Sequence, residues 1–203
     1  MQYFEYGEKE LGHLRAADKR LGAAIDQIGM LRPKMKPDLF WALIESIIAQ
    51  QISAKAAATV TGRLGALCAM DAGRLDALTI EEIQACGMSM RKAGYIKGAS
   101  RAAALGVVDF AALARMDDQD VIRTLTALSG VGVWTAEMLL IFSLARPNVV
   151  PYGDLAVRRG MMRLYGHSDM PRKRFDRYAK RYAPYGSVAS LYLWEIYANP
   201  IFE

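Results

Sequence analysis

The chain has 203 residues, 53% of them hydrophobic, and a mean hydropathy of +0.07; this is enough for one large or two small domains around a sizeable core, and no apolar run is long enough to span a bilayer. Lysine and arginine exceed aspartate and glutamate by 26 − 21 = 5, and the isoelectric point is about 9.2, which favours a polyanionic partner. The amino terminus lacks the basic-then-apolar pattern of a leader, and Cys68 and Cys86 lack metal-ligand spacing, which points to reduced, buried thiols in a cytoplasmic protein.

Taken in order, Leu11, Leu14, Leu21, Ile25 and Ile28 recur at helical spacings and predict one amphipathic helix over residues 8–28, with Arg15, Lys19 and Arg20 outside. Gly29, Pro33 and Pro37 end it, and the basic stretch 32–37 is the candidate crossing between two lobes. Leu39, Phe40, Leu43, Ile44, Ile47 and Ile48 form a strongly apolar helix broken at Gln50-Gln51-Ile52-Ser53, where Ser53 caps a helix over 54–67. Asp71 caps 72–78, Thr79 and Glu82 fit a capping box, Gly87 closes that helix, and Ser89 opens the next, whose body 93–105 ends at Gly106. Residues 109–116 and 117–127 lead on. Later, 155–165 reads as helix, 170–182 is densely basic (Arg172, Lys173, Arg174, Arg177, Lys180, Arg181), and Ser187 begins a last apolar helix through Trp194 and Tyr197. No strand alternation exceeds four residues. The chain reads as all-α.

Two stretches between these elements carry readable chemistry. Leu128-Ser129-Gly130-Val131-Gly132 sits between two helical segments and reads as helix, tight turn, helix, with glycines that permit positive φ and bring bare backbone close to a partner. The N–H groups of the turn and of the following helix start form an anion site. Pro151-Tyr152-Gly153-Asp154 is a rigid, polar break whose carboxylate opens the next helix. Twenty residues separate Trp134 from Asp154, and Leu155, Arg158, Arg159 and Gly160 follow. In this order and spacing the chain resembles the helix-hairpin-helix DNA glycosylases, above all their 3-methyladenine DNA glycosylase II branch.

The resemblance implies a two-lobed fold with the active-site cleft between the lobes. Residues 37–149 would form the helical-barrel lobe containing the hairpin, and residues 1–36 plus 150–203 a second, discontinuous lobe, without the amino-terminal β domain of longer members of the branch. It implies a hydrolase acting on alkylated purines of the 3-methyladenine and 7-methylguanine type in base excision repair, on double-stranded DNA, as a monomer. Glycosylases for other lesions, such as deaminated bases, and a DNA-structure-binding module without catalysis share the same hairpin.

Asp154 is the catalytic residue that the resemblance implies; by itself it would be read only as a helix cap. Trp134 occupies the position where strand-cutting relatives carry a lysine that attacks C1′, so the chain is expected to lack lyase activity. Trp134 is also the first candidate for the wall of a base pocket, followed by Tyr152, Trp41, Phe40 and Trp194. Gln51 aligns with the residue that several relatives insert into the DNA stack, with Ser53 beside it. The amides of Gly130, Val131, Gly132, Trp134 and Thr135 would hold a phosphate, with a possible Na⁺ or K⁺ on the backbone carbonyls of Thr126, Leu128 and Val131. Gly186 stands where relatives have an arginine, which puts any phosphate contact from that position in doubt. No cofactor is required, and with no cysteine after Cys86 no iron-sulfur cluster is expected. Glu137 reads as a solvated or structural charge, and His13 and His167 as isolated residues.

Overall fold

The computed structural model describes residues 2–202, among which the only β pairing is one isolated bridge between Tyr3 and Lys34. The helices in chain order are α1 (Glu8–Ala17), α2 (Lys19–Ile28), α3 (Leu39–Ala49), α4 (Ala54–Cys68), α5 (Ala72–Ala77) and α6 (Ile80–Ala85). They continue with α7 (Met90–Ala104), α8 (Asp118–Thr126), α9 (Val133–Phe142), α10 (Leu155–Tyr165), α11 (Arg172–Tyr182) and α12 (Gly186–Ala198). Residues 109–116 yield only a 3-10 turn, Ala112–Arg115.

Short polar side chains start most of these helices. Asp38 accepts from Trp41 N at 2.9 Å, Asp71 from Arg74 N at 2.8 Å and Asp117 from Asp120 N at 2.8 Å, while Thr79 and Glu82 close a capping box. Each satisfies an N–H that the first helical turn leaves without an acceptor.

The chain separates into two compact units, one of residues 36–139 and one of residues up to 35 together with those from 140 on. In the first, α3 is apolar except at Glu45 and Ser46, and its Leu43, Ile44, Ile47 and Ile48 are fully enclosed. Leu64 of α4, Ile96 of α7 and Leu125 of α8 complete its core. Cys68 and Cys86 are both buried in this unit, and burial pushes both thiols up.

In the second unit, α10 and α12 cross so closely that a Cβ on Gly160 would run into the Leu193 carbonyl oxygen. The helix predicted over 8–28 is in fact two. Asp18 adopts an extended backbone, φ −147°, ends α1 and caps α2 by accepting from Arg20 and Leu21 N–H, each at 3.1 Å. Its other oxygen accepts from Tyr165 Oη at 2.7 Å and from Arg181 at 3.0 Å, and Tyr165 meets Tyr182 at 2.8 Å. Burial pushes both phenols above the usual tyrosine range. His13 and His167 are likewise engaged, with Ala183 O at 2.8 Å and Tyr178 Oη at 2.7 Å.

Residues 140–149, expected with the barrel lobe, belong to the second unit. Their backbone is bound to α12: Ser187 Oγ donates to Arg146 O at 2.5 Å and accepts from Val149 N at 2.9 Å, and Ser190 Oγ donates to Val149 O at 3.0 Å. Phe142 packs on Trp194 with ring centroids 5.6 Å apart.

Candidate active site

Within the first unit the hairpin runs from α8 through Leu128–Gly132 into α9. Gly130 has φ +83°, and a Cβ there would land in the Tyr95 ring, so only glycine fits. Val131 is buried as the plug of the turn, and its N–H donates to Leu128 O at 3.1 Å. Gly132 differs: its φ is ordinary, and a Cβ would meet nothing within 4 Å. No internal contact requires glycine at 132, and the bare backbone is open to an incoming group. Gly132, Val133 and Trp134 are exposed at the start of α9, where a helix presents N–H groups and the positive end of its dipole.

The segment between α3 and α4 lies against this hairpin. Gln50 Nε2 donates to Gly130 O at 2.9 Å. Gln51 follows at φ +59°, a left-handed conformation that non-glycine residues adopt at a cost, with its side chain in solvent. Gln50, Gln51, Trp134, Thr135, Met138 and Glu45 line a cavity of about 460 Å³. Trp134 is 46% exposed and Thr135 is buried. Ser53 Oγ caps α4 by accepting from Ala56 N at 3.2 Å.

Asp154 belongs to the second unit and is 7% exposed. Its Oδ1 accepts from Val157 N at 2.9 Å and its own N–H donates to Pro151 O at 3.2 Å, so the cap that starts α10 also holds the carboxylate in one orientation. Tyr152 anchors the preceding turn. Its ring meets Phe175 edge-on at 5.1 Å and lies beneath two guanidinium groups, Arg158 at 5.3 Å and Arg172 at 4.9 Å. Arg158 and Tyr152 therefore brace the turn carrying Asp154.

The aromatic candidates thus separate by role. Trp134 walls a cavity, whereas Phe40 and Trp41 do not line it: both are buried, Phe40 edge-on to Phe110 at 5.3 Å and Trp41 at the α3–α4 contact near Gly65. Expected as pocket walls, both instead lie among the buried apolar residues of α3. Trp194 packs at a tilt against Phe142, and Tyr152 is taken up by its arginines. Gly186 is fixed by packing, since a Cβ would come within 2.7 Å of Val150 and 2.8 Å of Asn148 Oδ1. A side chain there, arginine included, has no room in this arrangement.

A glycine hairpin leading into a helix start, joined twenty residues later to a capping aspartate on an all-α scaffold, is the arrangement of a base-excision repair family. The chain belongs to the HhH-GPD superfamily of base excision DNA repair proteins, whose family model matches residues 44–184. It is 30% identical over 194 residues to DNA-3-methyladenine glycosylase 1 of Schizosaccharomyces pombe, covering 90% of this chain and 84% of that protein. The crystal structure of a DNA-3-methyladenine glycosidase from Bacillus halodurans superposes with a TM-score of 0.88 at 36% identity, over 98% of this chain and 94% of that one. The S. pombe enzyme Mag1, solved in complex with abasic DNA, gives 0.80 at 30% identity over 92% and 95%.

Proposed function

We propose that the protein is a monofunctional DNA glycosylase that removes alkylated purines from duplex DNA in base excision repair. The observation that carries this reading is the full-length likeness to named 3-methyladenine glycosylases together with an aspartate locked at the start of α10. In the proposed reaction the bond from C1′ to the purine nitrogen breaks with its electron pair leaving on the base. Alkylation has made that base cationic and hence a good leaving group. The sugar acquires oxocarbenium character, which the Asp154 carboxylate stabilises while orienting the water whose oxygen bonds C1′ and whose proton is released. The target base leaves the stack, Trp134 offers the flipped base an aromatic face, and Gln51 fills the space left behind. The backbone at Gly130–Thr135 takes a phosphate. A monovalent cation, when bound, suits the neutral carbonyl oxygens of Thr126, Leu128 and Val131 and would draw that phosphate closer. Trp134 has no amine to attack C1′, so the product is an abasic site with the strand intact.

Base release from methylated duplex DNA, followed by chromatography for the wild type and Asp154→Asn side by side, tests this. Free 3-methyladenine or 7-methylguanine from the wild type alone is the expected result, with no borohydride-trapped adduct. Duplex binding without release from either protein would shift the reading to another lesion, such as a deaminated base, or to a binding module.

A further inference from the structure

The last carbonyls of an α-helix have no intrahelical donor, and at the end of α3 this falls on the segment that presents Gln51. The local substitutes are weak: Gln50 N donates to Ile47 O and Ile52 N to Ala49 O, each at 3.4 Å. A side chain from far along the sequence meets two further oxygens. Lys92 Nζ donates to Ile48 O at 2.9 Å and, in a closer contact, to Gln50 O. Lys92 is the third residue of α7, and its own N–H is capped by Ser89 at 3.3 Å, so the turn 86–89 sets where the lysine starts. Arg63 secures that turn by donating to Cys86 O at 3.3 Å. Gln50, held by Lys92 through its carbonyl, reaches Gly130 O with its side chain. One ammonium thus fixes the residue before the strained, exposed Gln51 and the residue that grips the hairpin.

We infer that Lys92 is a positioning residue for base flipping: by clamping the open end of α3 it holds Gln51 in its left-handed, outward pose and registers it against the phosphate-binding hairpin. The inference rests on the DNA glycosylase reading and on Gln51 as the inserted residue. Burial lowers the pKa of Lys92, consistent with a cation that exchanges water for carbonyl oxygens. The same helix supplies an internal control. Lys97 donates to Asp76 O and, at 2.9 Å, to Leu78 O, closing α5 in the same manner, with the Asp76 carboxylate 3.1 Å away. Its partners are Asp76 and Leu78 and none belongs to the Gln51 segment or the hairpin, so Lys97 is a cap without a segment to aim.

The test uses the full chain with Lys92→Met, Lys92→Arg and Lys97→Met, on a duplex carrying 7-methylguanine beside the fluorescent base 2-aminopurine, which brightens on unstacking. Affinity for the undamaged duplex should stay within about threefold for Lys92→Met, while the unstacking step and single-turnover base release fall about tenfold or more, the scale of one lost charged hydrogen bond. Lys92→Arg, which restores two donors, should recover most of the loss. Lys97→Met should lower the melting temperature yet leave both rates unchanged per folded molecule. Unstacking at the wild-type rate by folded Lys92→Met would overturn the inference, as would an equal loss in Lys97→Met. If Lys92→Met does not fold, Lys92→Gln, which keeps a shorter donor, is scored by the same criteria. A wild type that unstacks the probe but releases no alkylpurine defeats the substrate reading alone, because the Lys92 comparison is scored on fluorescence.

Discussion

The hairpin at Gly130–Gly132 and the turn at Pro151–Asp154 carry the family's two signatures and are built in opposite ways. The hairpin is open: a Cβ on Gly132 would meet nothing within 4 Å, Val133 and Trp134 are exposed, and Gln51 is exposed beside them. The aspartate turn is enclosed, with Tyr152 against two guanidinium groups, Pro151 buried and Asp154 fastened to the helix it starts. On the proposed function, the open element would accept the backbone of a large partner, and the enclosed one would present a single charge to one carbon with its freedom removed beforehand.

The contrast can be broken from either side. Asp154→Asn keeps an N-cap, so the melting temperature should hold, while alkylpurine release should fall about a thousandfold in single-turnover assays. Gly130→Ala should cost about 3 kcal/mol in denaturant unfolding, because the new methyl enters the Tyr95 ring at a positive φ. Tyr152→Leu should remove about 1–2 kcal/mol of stability with the guanidinium contacts, and should lower the rate of base release more than duplex affinity, since it loosens the turn and not the hairpin. Gly132→Ala sharpens the comparison most, though its effect is smallest. Unfolding should change by about 0.5 kcal/mol or less, whereas affinity for undamaged duplex measured by anisotropy should fall about tenfold. Equal losses of stability and affinity in Gly132→Ala would mean that the glycine serves the fold and not the partner.

What the sequence made legible follows the reach of each interaction. Asp38, Ser53, Asp71, Thr79, Ser89 and Asp117 are readable as helix starts because each bonds an N–H three residues on. The break at Asp18 is not readable from the repeat of Leu11, Leu14, Leu21 and Ile25, since its second oxygen is held by Tyr165 and Arg181, 147 and 163 residues away. The placement of residues 140–149 in the second unit is hidden for the same reason, because residues 146–149 are held by Ser187 and Ser190. At the candidate site, Gln51, Trp134 and Asp154 could be singled out by motif. Lys92 could not, since its acceptors are backbone atoms 42 and 44 residues earlier and leave no trace in residue type.

The second unit is assembled from both ends of the sequence, with α1 and α2 packed on α10, α11 and α12. On a ribosome, α1 and α2 emerge well before α10, α11 and α12, the helices packed against them. The uninterrupted stretch 36–139, which bears the hairpin and the Gln51 segment, is fully synthesised while the aspartate-bearing unit still lacks most of its chain. A nascent chain of this protein therefore holds the complete hairpin and Gln51 segment before Asp154 has been translated.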